Sequence, residues 1–440
     1  MVVALVMTPL GAKAADLVVW WEKGFTVEED EAVRELIGAF EQGSGKEVEL
    51  SFYPQAQLPD EIEAALETGT PPDFAFGLDA SSYVAQWAFD DRLVDLSDAI
   101  GSFANMFDVE ALASAVLVNG KLGHEALYAL PMGQATTLIH VWKSLLDQAG
   151  FTLADVPKEW EAFWAFWCDQ VQPAVRHATG RDDVWGVGLL MSADAFDAVD
   201  AFFQFVAAYE ADYVTQDGRL VIDDAEIRPK LIKAIASYTA IYHEGCTPPD
   251  STSWTNIDNN ERFHAQTVVM TPNLTLSVPN ALRRERPDDY YENVATIEWP
   301  LGPSGKSFPI VGLVFSAVAF KHGSNVAAAE DFVRFLVREG WLAHYLNFSA
   351  ERMLPPLPGL LNQPFWLDPG DPHRMAAVMQ VASRPLMYSY VVASGDWRHD
   401  RVRSQENVWG KAVHRVAAEG ITPEQAVDEA IARIKQILSE

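Results

Sequence analysis

The sequence predicts an α/β protein that is built from more than one lobe. The chain has 440 residues, which exceeds what a single hydrophobic core usually supports, so two or three lobes are expected. Its first part alternates strand patterns with helix patterns. Such alternation predicts a mainly parallel sheet flanked by helices, because parallel neighbours must be joined by crossovers. The last third returns to the same alternation after a helix-rich middle (about 134–310).

The N-terminal alternation begins in the stretch DLVVWWEKGF (16–25). Its apolar, β-branched and aromatic run is typical of a buried strand. Thr26 and Glu29 then form a capping-box pattern at the start of a helix. Residues 48–52 alternate as a second strand, and 71–79 supply a third. These segments predict the first half of one lobe.

Later segments complete the pattern. Aromatic residues recur at helical spacing within 160–167, which predicts a core stripe. Residues 308–320 read as a buried strand and 325–346 as a long helix. A terminal helix is predicted over 422–438, where Thr422 and Gln425 form another capping box.

Charge and hydropathy exclude several classes of partner. The chain has 32 Lys and Arg against 62 Asp and Glu, a formal net charge of −30. An acidic surface repels phosphate backbones and anionic lipid, so no nucleic-acid or membrane-surface partner is expected. After the first residues, the longest apolar run (308–320) is too short for a membrane helix and contains Pro309 and Gly312.

The first residues resemble a secretion signal. The apolar stretch from Val2 to Leu10 precedes a small-x-small site at 12–14. Residues 1–14 are therefore expected to be a signal-peptide remnant, and the mature protein is expected in the periplasm. An ordinary buried strand is the alternative. Cys168 and Cys246 permit one disulfide in that compartment, but their sequence contexts leave the pairing open.

No sequence motif predicts catalysis or a metal site. The segment GPSGKS (302–307) lacks the first glycine of a phosphate-binding loop, since Pro300 takes that place. The histidines show no metal-binding spacing and no G-x-S-x-G elbow occurs. A carboxylate pair suited to glycoside hydrolysis stays open, because some pair always exists among 62 acids. Neither cofactor nor metal is expected.

Six blocks of the sequence, in this order, resemble family 1 extracellular solute-binding proteins of ABC importers, the maltose-binding-protein-like group. They are the opening strand and helix (17–50), ALETGTPPDFAFGLDASSYVAQWAFDDRLVDLS with its Gly-x-x-Pro-Asp, YALPMGQATTLIHVWKSLLDQAGF, RFHAQTVVMTPN, FPIVGLVFSAVAFKHGSNVAAAEDFVRFL and the terminal TPEQAVDEA. Together the blocks cover nearly the whole mature chain.

The resemblance implies a type II periplasmic binding protein fold, in which two α/β lobes close on a solute in the cleft between them. Each lobe is expected to be a mainly parallel sheet flanked by helices. The implied N-terminal lobe is 16–132 plus 314–354, and the C-terminal lobe is 133–313 plus 355–440. The family's solute contacts lie near strand ends and crossovers, where ligands bind open α/β sheets. Block matching, together with the aromatics as stacking candidates, gives Trp21, Glu22, Lys23, Asp79, Gln134, Thr136, Thr137, Asn273, Gly312, Tyr388, Tyr390 and Trp397.

Each of these residues also has a structural interpretation. Glu22 and Lys23 are alternatively a solvated loop pair, Asp79 a helix cap, and the late aromatics packing residues. The implied function is capture of a carbohydrate-like solute (sugar, oligosaccharide or polyol) by a monomer that delivers it to an ABC transporter permease, without catalysis. A secreted carbohydrate-active hydrolase and a two-lobe sensor for a signalling receptor are the alternatives.

Overall fold

A computed structural model describes most of the chain. The described residues are 15–55, 57–79, 83–215, 217–338, 340–348, 352–384, 386–387, 390 and 394–440. The predicted signal remnant at 1–14 lies outside them.

The strands and helices follow the predicted alternation. The strands are β1 (Leu17–Glu22), β2 (Val48–Tyr53), β3 (Phe74–Asp79), β4 (Val116–Asn119), β5 (His124–Leu127), β6 (Leu130–Thr136), β7 (Leu138–Trp142), β8 (Trp185–Val187), β9 (Val268–Asn273), β10 (Val294–Ile297), β11 (Ile310–Ala319) and β12 (Leu386–Met387). The α-helices are α1 (Val27–Ser44), α2 (Leu58–Thr68), α3 (Tyr83–Phe89), α4 (Ser97–Ile100), α5 (Val109–Ala113), α6 (Lys143–Gln148), α7 (Trp160–Ala165), α8 (Gln172–Thr179), α9 (Phe196–Ala208), α10 (Ile227–His243), α11 (Asp258–His264), α12 (Ser277–Glu285), α13 (Val326–Arg338), α14 (Trp341–Phe348), α15 (Pro358–Leu361), α16 (Pro372–Ser383), α17 (Arg398–Asp400), α18 (Val408–His414) and α19 (Pro423–Ser439). Short 3-10 or π segments are Gly101–Met106, Leu153–Asp155, Phe166–Val171, Pro249–Ser253, Asp289–Asn293, Arg401–Gln405 and Arg415–Glu419.

Two helix starts match their predicted caps. The Thr26 hydroxyl accepts from the Glu29 N–H at the start of α1. Thr422 and Gln425 form a reciprocal capping box at the start of α19. These local signals therefore set the helix boundaries as the sequence indicates.

The first sheet has the strand order β12-β11-β3-β1-β2, with β6 paired to β11. Strand β1 is parallel to β2 and β3, so that Val19 lies opposite Leu50 and Phe74. This confirms the predicted parallel arrangement of the first three strands. Strand β11 runs antiparallel to both β3 and β6, since it enters this lobe from the other one.

The second sheet departs from the predicted parallel arrangement. Its order is β10-β7-β9-β8, and β7 is antiparallel to both neighbours while β8 and β9 are parallel. The expectation of a mainly parallel sheet is thus wrong for this lobe. The reason is chain direction: β7 enters directly from the crossover, so its first residue Leu138 pairs with Asn273 at the end of β9.

Each sheet has its own hydrophobic core. In the first lobe, Leu17, Val19 and Trp21 of β1 pack with the apolar face of α1 and with Phe332 of α13. In the second, the predicted aromatic stripe is buried. It consists of Trp160, Phe163, Trp164 and Trp167. Each such side chain contributes about 1.5–3 kcal/mol or more when fully removed from water.

Two strands carry the chain between the lobes. Strand β11 begins in the second core at Ile310 and Val311 and enters the first core at Phe315, where it continues to Ala319. Gly312 lies at this passage, opposite Thr136 of β6. Because β6 and β11 are paired there, the two crossovers form one connection.

The structure shows that the two cysteines are paired. Cys168 and Cys246 form a disulfide with a Cα–Cα distance of 5.1 Å, both in the second lobe. Within the part of the chain that the structure describes, no helix combines the length and apolar character needed to cross a membrane.

Candidate functional site

A cleft lies between the two sheets and encloses about 1070 Å³ of space, part of it open to solvent. Both lobes and the crossover contribute its walls. The lining residues include Phe25, Gln55, Pro59, Gly77, Leu78 and Tyr83 from the first lobe, Phe196, Asp197, Asp200, Asn256, Asn260, Asn273, Leu274, Thr275, Ser277, Arg403 and Ser404 from the second, and Leu313, Phe315 and Arg352 near the crossovers.

Two aromatic rings on opposite lobes are exposed in this cleft. Phe25 follows the end of β1 and is 50% exposed, and Phe196 begins α9 and is 44% exposed. Single exposed phenylalanines are common, but two of them on the walls of one concave site form an apolar surface that suits a ligand. Their flat apolar faces suit the C–H faces of a ring-shaped solute.

Amide side chains on the second lobe are held in fixed orientations. Asn273 ends β9, donates from Nδ2 to the Thr275 carbonyl at 2.8 Å and accepts at Oδ1 from Asn259 Nδ2 at 3.1 Å. Asn260 donates from Nδ2 to Ser277 Oγ at 3.0 Å. The Asn260 Oδ1 is buried and, among the described residues, has no hydrogen-bond partner. Asn260 is one of the residues that line the cleft.

A buried charge cluster supports the first-lobe wall. Arg352 Nη1 lies 3.2 Å from Glu22 Oε1, and Arg352 Nε donates to Glu29 Oε2 at 3.2 Å. The guanidinium also lies 4.8 Å from the centre of the Phe25 ring and 5.5 Å from that of Phe315. Burial raises the pKa of Glu22, while Arg352 opposes this and Glu29 adds to it.

Gly77 of β3 makes room for this cluster. Its φ is +110°, and a Cβ built at this position would lie 2.2 Å from Cβ of Glu22. Any other residue would be strained and would clash. The Glu22 side chain therefore reaches the cleft wall only because position 77 is glycine.

A second charged group lies across the cleft at the start of α9. Arg403 forms an ion pair with Asp200. The backbone N–H of Asp197 donates to Asn256 Oδ1 at 3.2 Å. Burial, with a contribution from Asp200, raises the pKa of Asp197 to about 7.

Polar contacts join the lobes beside the cleft. Arg284 of α12 forms an ion pair with Glu28 of α1, and Gln405 Nε2 donates to Gln86 Oε1 at 2.9 Å. Both pairs link the two lobes, so they change when the lobes move apart.

Three of the residues predicted from the sequence lie in the cleft or close to its wall. Asn273 lines the cleft, and Glu22 lies behind its wall through Arg352. Lys23 is exposed, forms an ion pair with Asp30 and lies 5.7 Å from the Phe52 ring centre. Lys23 lies in the loop between β1 and α1, the same loop that carries Phe25.

Four predicted residues lie together at the crossover. Gln134 donates from Nε2 to the Pro355 carbonyl at 2.8 Å. Thr136 and Thr137 each accept from Gln380 Nε2 at 2.9 Å, at the hydroxyl and the carbonyl respectively. Gly312 lies opposite Thr136. These contacts hold the crossover strands β6 and β11 against the segment at Pro355 and against α16.

The predicted aromatics pack against protein. Trp21 is buried against Phe76 and Tyr345, at ring-centre distances of 4.6 and 5.4 Å. The Tyr390 hydroxyl donates to Asp212 at 2.8 Å, and the Trp397 ring lies 5.8 Å from that of Phe89.

Two predicted residues are described only in part or not at all. Asp79 ends β3, where its backbone pairs with Phe315. Tyr388 lies outside the described residues. Contact of any predicted residue with a solute stays a prediction.

Several cleft residues escape sequence reasoning. Asp197 reads as an ordinary acid in the first turn of a helix, and Arg352 lies beside a proline-rich passage without any motif. Phe25 has a weak signal, since it follows Gly24 immediately after a buried strand. Their roles depend on contacts between distant parts of the chain, which no local pattern contains.

Comparison with known proteins places this geometry in context. A family model for bacterial extracellular solute-binding proteins matches residues 35–370. The search of curated proteins found no match.

Solved structures share the fold at low sequence identity. An ABC transporter solute-binding protein from Thermotoga lettingae, bound with α-D-tagatose, has a TM-score of 0.77 and 17% identity over 96% of this chain and 99% of that chain. The maltose-bound MalE3 of T. maritima has a TM-score of 0.75 and 19% identity over 96% and 99% of the two chains. The cyclic α-maltosyl-1,6-maltose binding protein of Arthrobacter globiformis has 0.71 and 17% over 96% and 98%.

Proposed function

Because the chain belongs to the bacterial extracellular solute-binding proteins, we propose that it captures a carbohydrate-like solute and delivers it to the permease of an ABC importer. A sugar, an oligosaccharide and a polyol all fit this description. The observation that carries the proposal is the pair of exposed rings, Phe25 and Phe196, on opposite walls of a cleft lined with amides. Rings hold the C–H faces of a sugar, and amides hold its hydroxyls.

The proposed mechanism is hinged closure of the lobes. We place the lobe boundaries at 16–132 plus 314–354 and 133–313 plus 355–440, which agrees with the passage of β11 from one core to the other. Gln134, Thr136, Thr137 and Gly312 then act at the hinge. Asn273 contacts the solute directly, and Glu22 acts through Arg352. Closure around a bound ligand is an established repertoire of such folds.

The cellular setting follows from the family. An extracellular solute-binding protein works outside the cytoplasm, and the signal-like segment at 1–14 supports export to the periplasm. We propose that the protein is a monomer and that it binds its solute without converting it chemically. It requires a permease partner that recognises the closed form.

A thermal-shift screen with product analysis tests the proposal. A true solute should raise the melting temperature by mass action, because it binds the folded state only. We expect stabilisation by at least one sugar or polyol of a broad panel, without product formation. Product formation from oligosaccharides would favour the hydrolase instead, and an inert protein across the panel would contradict the carbohydrate assignment.

A further inference from the structure

The carboxylate of Asp197 lines the cleft without a basic partner among the described residues. The nearby arginine is Arg403, and it pairs with Asp200. Asp197 donates its backbone N–H to Asn256 Oδ1 at 3.2 Å. Asp197 and Asp200 thus lie close together at the start of α9, where Arg403 pairs with Asp200.

The opposite wall does not supply the missing positive charge. Arg352 pairs with both Glu22 and Glu29, which lie behind that wall, so its charge is already compensated. Asp197 and Asp200 line the cleft itself. In a partly desolvated site, an uncompensated negative charge is costly, and a bound cation relieves this cost.

A second observation indicates that the ligand donates a hydrogen bond to the same wall of the cleft. Asn260 lines the cleft, is only 8% exposed and has an Oδ1 atom without a partner in the described part of the chain. It lies four residues after Asn256, which itself holds the backbone of Asp197. A buried acceptor without a donor is costly, so a ligand that donates a hydrogen bond would be favoured at this wall.

The titration of Asp197 agrees with this picture. Burial and the neighbouring Asp200 raise the pKa of Asp197 to about 7, because no positive charge balances the ionised form. A cationic ligand would restore ionisation. An anionic ligand would meet two acids and is disfavoured on this wall.

We infer that the solute carries an ammonium group, as in an amino sugar or an amino polyol, and that this group binds the Asp197 carboxylate while the same solute donates to Asn260 Oδ1. An ammonium has three N–H donors and no acceptor, which matches a wall of acceptors. Its hydrogen bond to a carboxylate is charge-assisted, about twice as strong as a neutral one. This inference rests on the proposed function and names the solute class of the same cleft.

Matched pairs of probes test the inference by titration calorimetry at pH 7. Tris and pentaerythritol differ by an ammonium in place of a hydroxymethyl group, and glucosamine and glucose by an ammonium in place of a hydroxyl. We expect the amine of at least one pair to bind tenfold or more tightly than its neutral counterpart. Added salt should reduce this advantage in the unmodified protein, since it screens the charge.

Two isosteric variants assign the effect to one carboxylate. Asp197→Asn should abolish the amine's advantage. Asp194→Asn makes the same change of charge at an exposed position that does not line the cleft, and it should keep the advantage. The salt dependence of the unmodified protein decides the question if Asp197→Asn fails to fold.

Three outcomes of these titrations would overturn the inference. They are equal or tighter binding of both neutral probes, no binding of any of the four probes, and an amine advantage that survives Asp197→Asn. A neutral carbohydrate found bound to the protein would overturn this inference and leave the proposed function intact.

Discussion

Arg352 Nη1 lies 3.2 Å from Glu22 Oε1, and both side chains are buried. This pair joins the end of the first strand to the segment that leads into the last crossover, more than 300 residues later. Glu29 completes the cluster from the first turn of α1. Glu22 is therefore not a solvated loop residue but half of a buried ion pair at the cleft wall.

Removal of Arg352 should destabilise the unliganded protein strongly. Arg352→Met leaves Glu22 and Glu29 buried without a counter-charge, which costs about 3–5 kcal/mol in comparable cases. Urea unfolding measures this change in the free energy of unfolding. Adding Glu22→Gln and Glu29→Gln to Arg352→Met should recover a large part of the loss. If the triple variant is no more stable than Arg352→Met, charge burial is not the cause.

The exposed rings should matter for binding and hardly for folding. Phe25→Ala and Phe196→Ala each remove a ring that is about half exposed, so the unliganded melting temperature should change little. Solute affinity should fall about tenfold, because a stacked ring contributes about 0.5–1.5 kcal/mol beyond its buried area. Calorimetric titration with the solute found in the screen provides the measurement.

Tyr291→Ala is the matched control for these two variants. Tyr291 is also a partly exposed aromatic but does not line the cleft. It should leave affinity unchanged. Equal losses of affinity in all three variants would remove the special role of Phe25 and Phe196.

Acidification should destabilise the fold through two buried histidines. His140 Nδ1 and His373 Nδ1 lie 3.0 and 2.6 Å from the hydroxyl of Thr296. Burial lowers the pKa of His140 to about 3 and of His373 to about 4. Below pH 6.5 the unfolded chain gains protons that the folded chain does not, so stability falls as the pH decreases towards 4.

The contribution of one histidine can be isolated by its pH slope. Between pH 7 and pH 5, His373 should account for about 2 kcal/mol of lost stability. Burial also raises the pKa of Glu22 and Glu29. The folded state therefore binds protons at these two groups before the unfolded state does, which increases the free energy of unfolding as the pH falls towards 4.5. His373→Gln should therefore lose about 2 kcal/mol less than the unmodified protein over this range. An identical pH slope would contradict the assignment.

The disulfide should contribute to stability through the unfolded state. Cys168 and Cys246 are 78 residues apart in sequence, and closing a loop of that length contributes about 4.5 kcal/mol in the chain-entropy model. Urea unfolding with and without reductant tests this. The Cys168→Ser/Cys246→Ser variant is the control, because reductant should not change its stability.

The sequence predicts the fold well because the fold depends on local patterns. The buried run of β1, the cap at Thr26 and the stripe that includes Trp160 each act over a few residues. The direction of β7 is not local: it depends on where the crossover enters the second lobe. This is why the predicted parallel arrangement holds in the first lobe's early strands and fails in the second sheet.

The cleft is harder to predict because its residues meet only after folding. Asn273 lines the cleft, and it could be predicted because it ends a segment, at β9, that resembles a block of the family. Arg352, in contrast, matters because it pairs with Glu22, which is far away in sequence. Asp197 matters because burial and Asp200 raise its pKa and no positive charge among the described residues balances them. Trp21 illustrates the opposite case, since its position at a strand end favours the cleft but its side chain packs inward on Phe76.

Capture of a solute can be observed by native mass spectrometry of the protein purified from its source under non-denaturing conditions. We expect a retained small molecule of carbohydrate-like composition, released when the protein unfolds and lost from Phe196→Ala more readily than from the unmodified protein. A protein that carries no such molecule, and that regains none after incubation with an extract of the growth medium, would contradict solute capture.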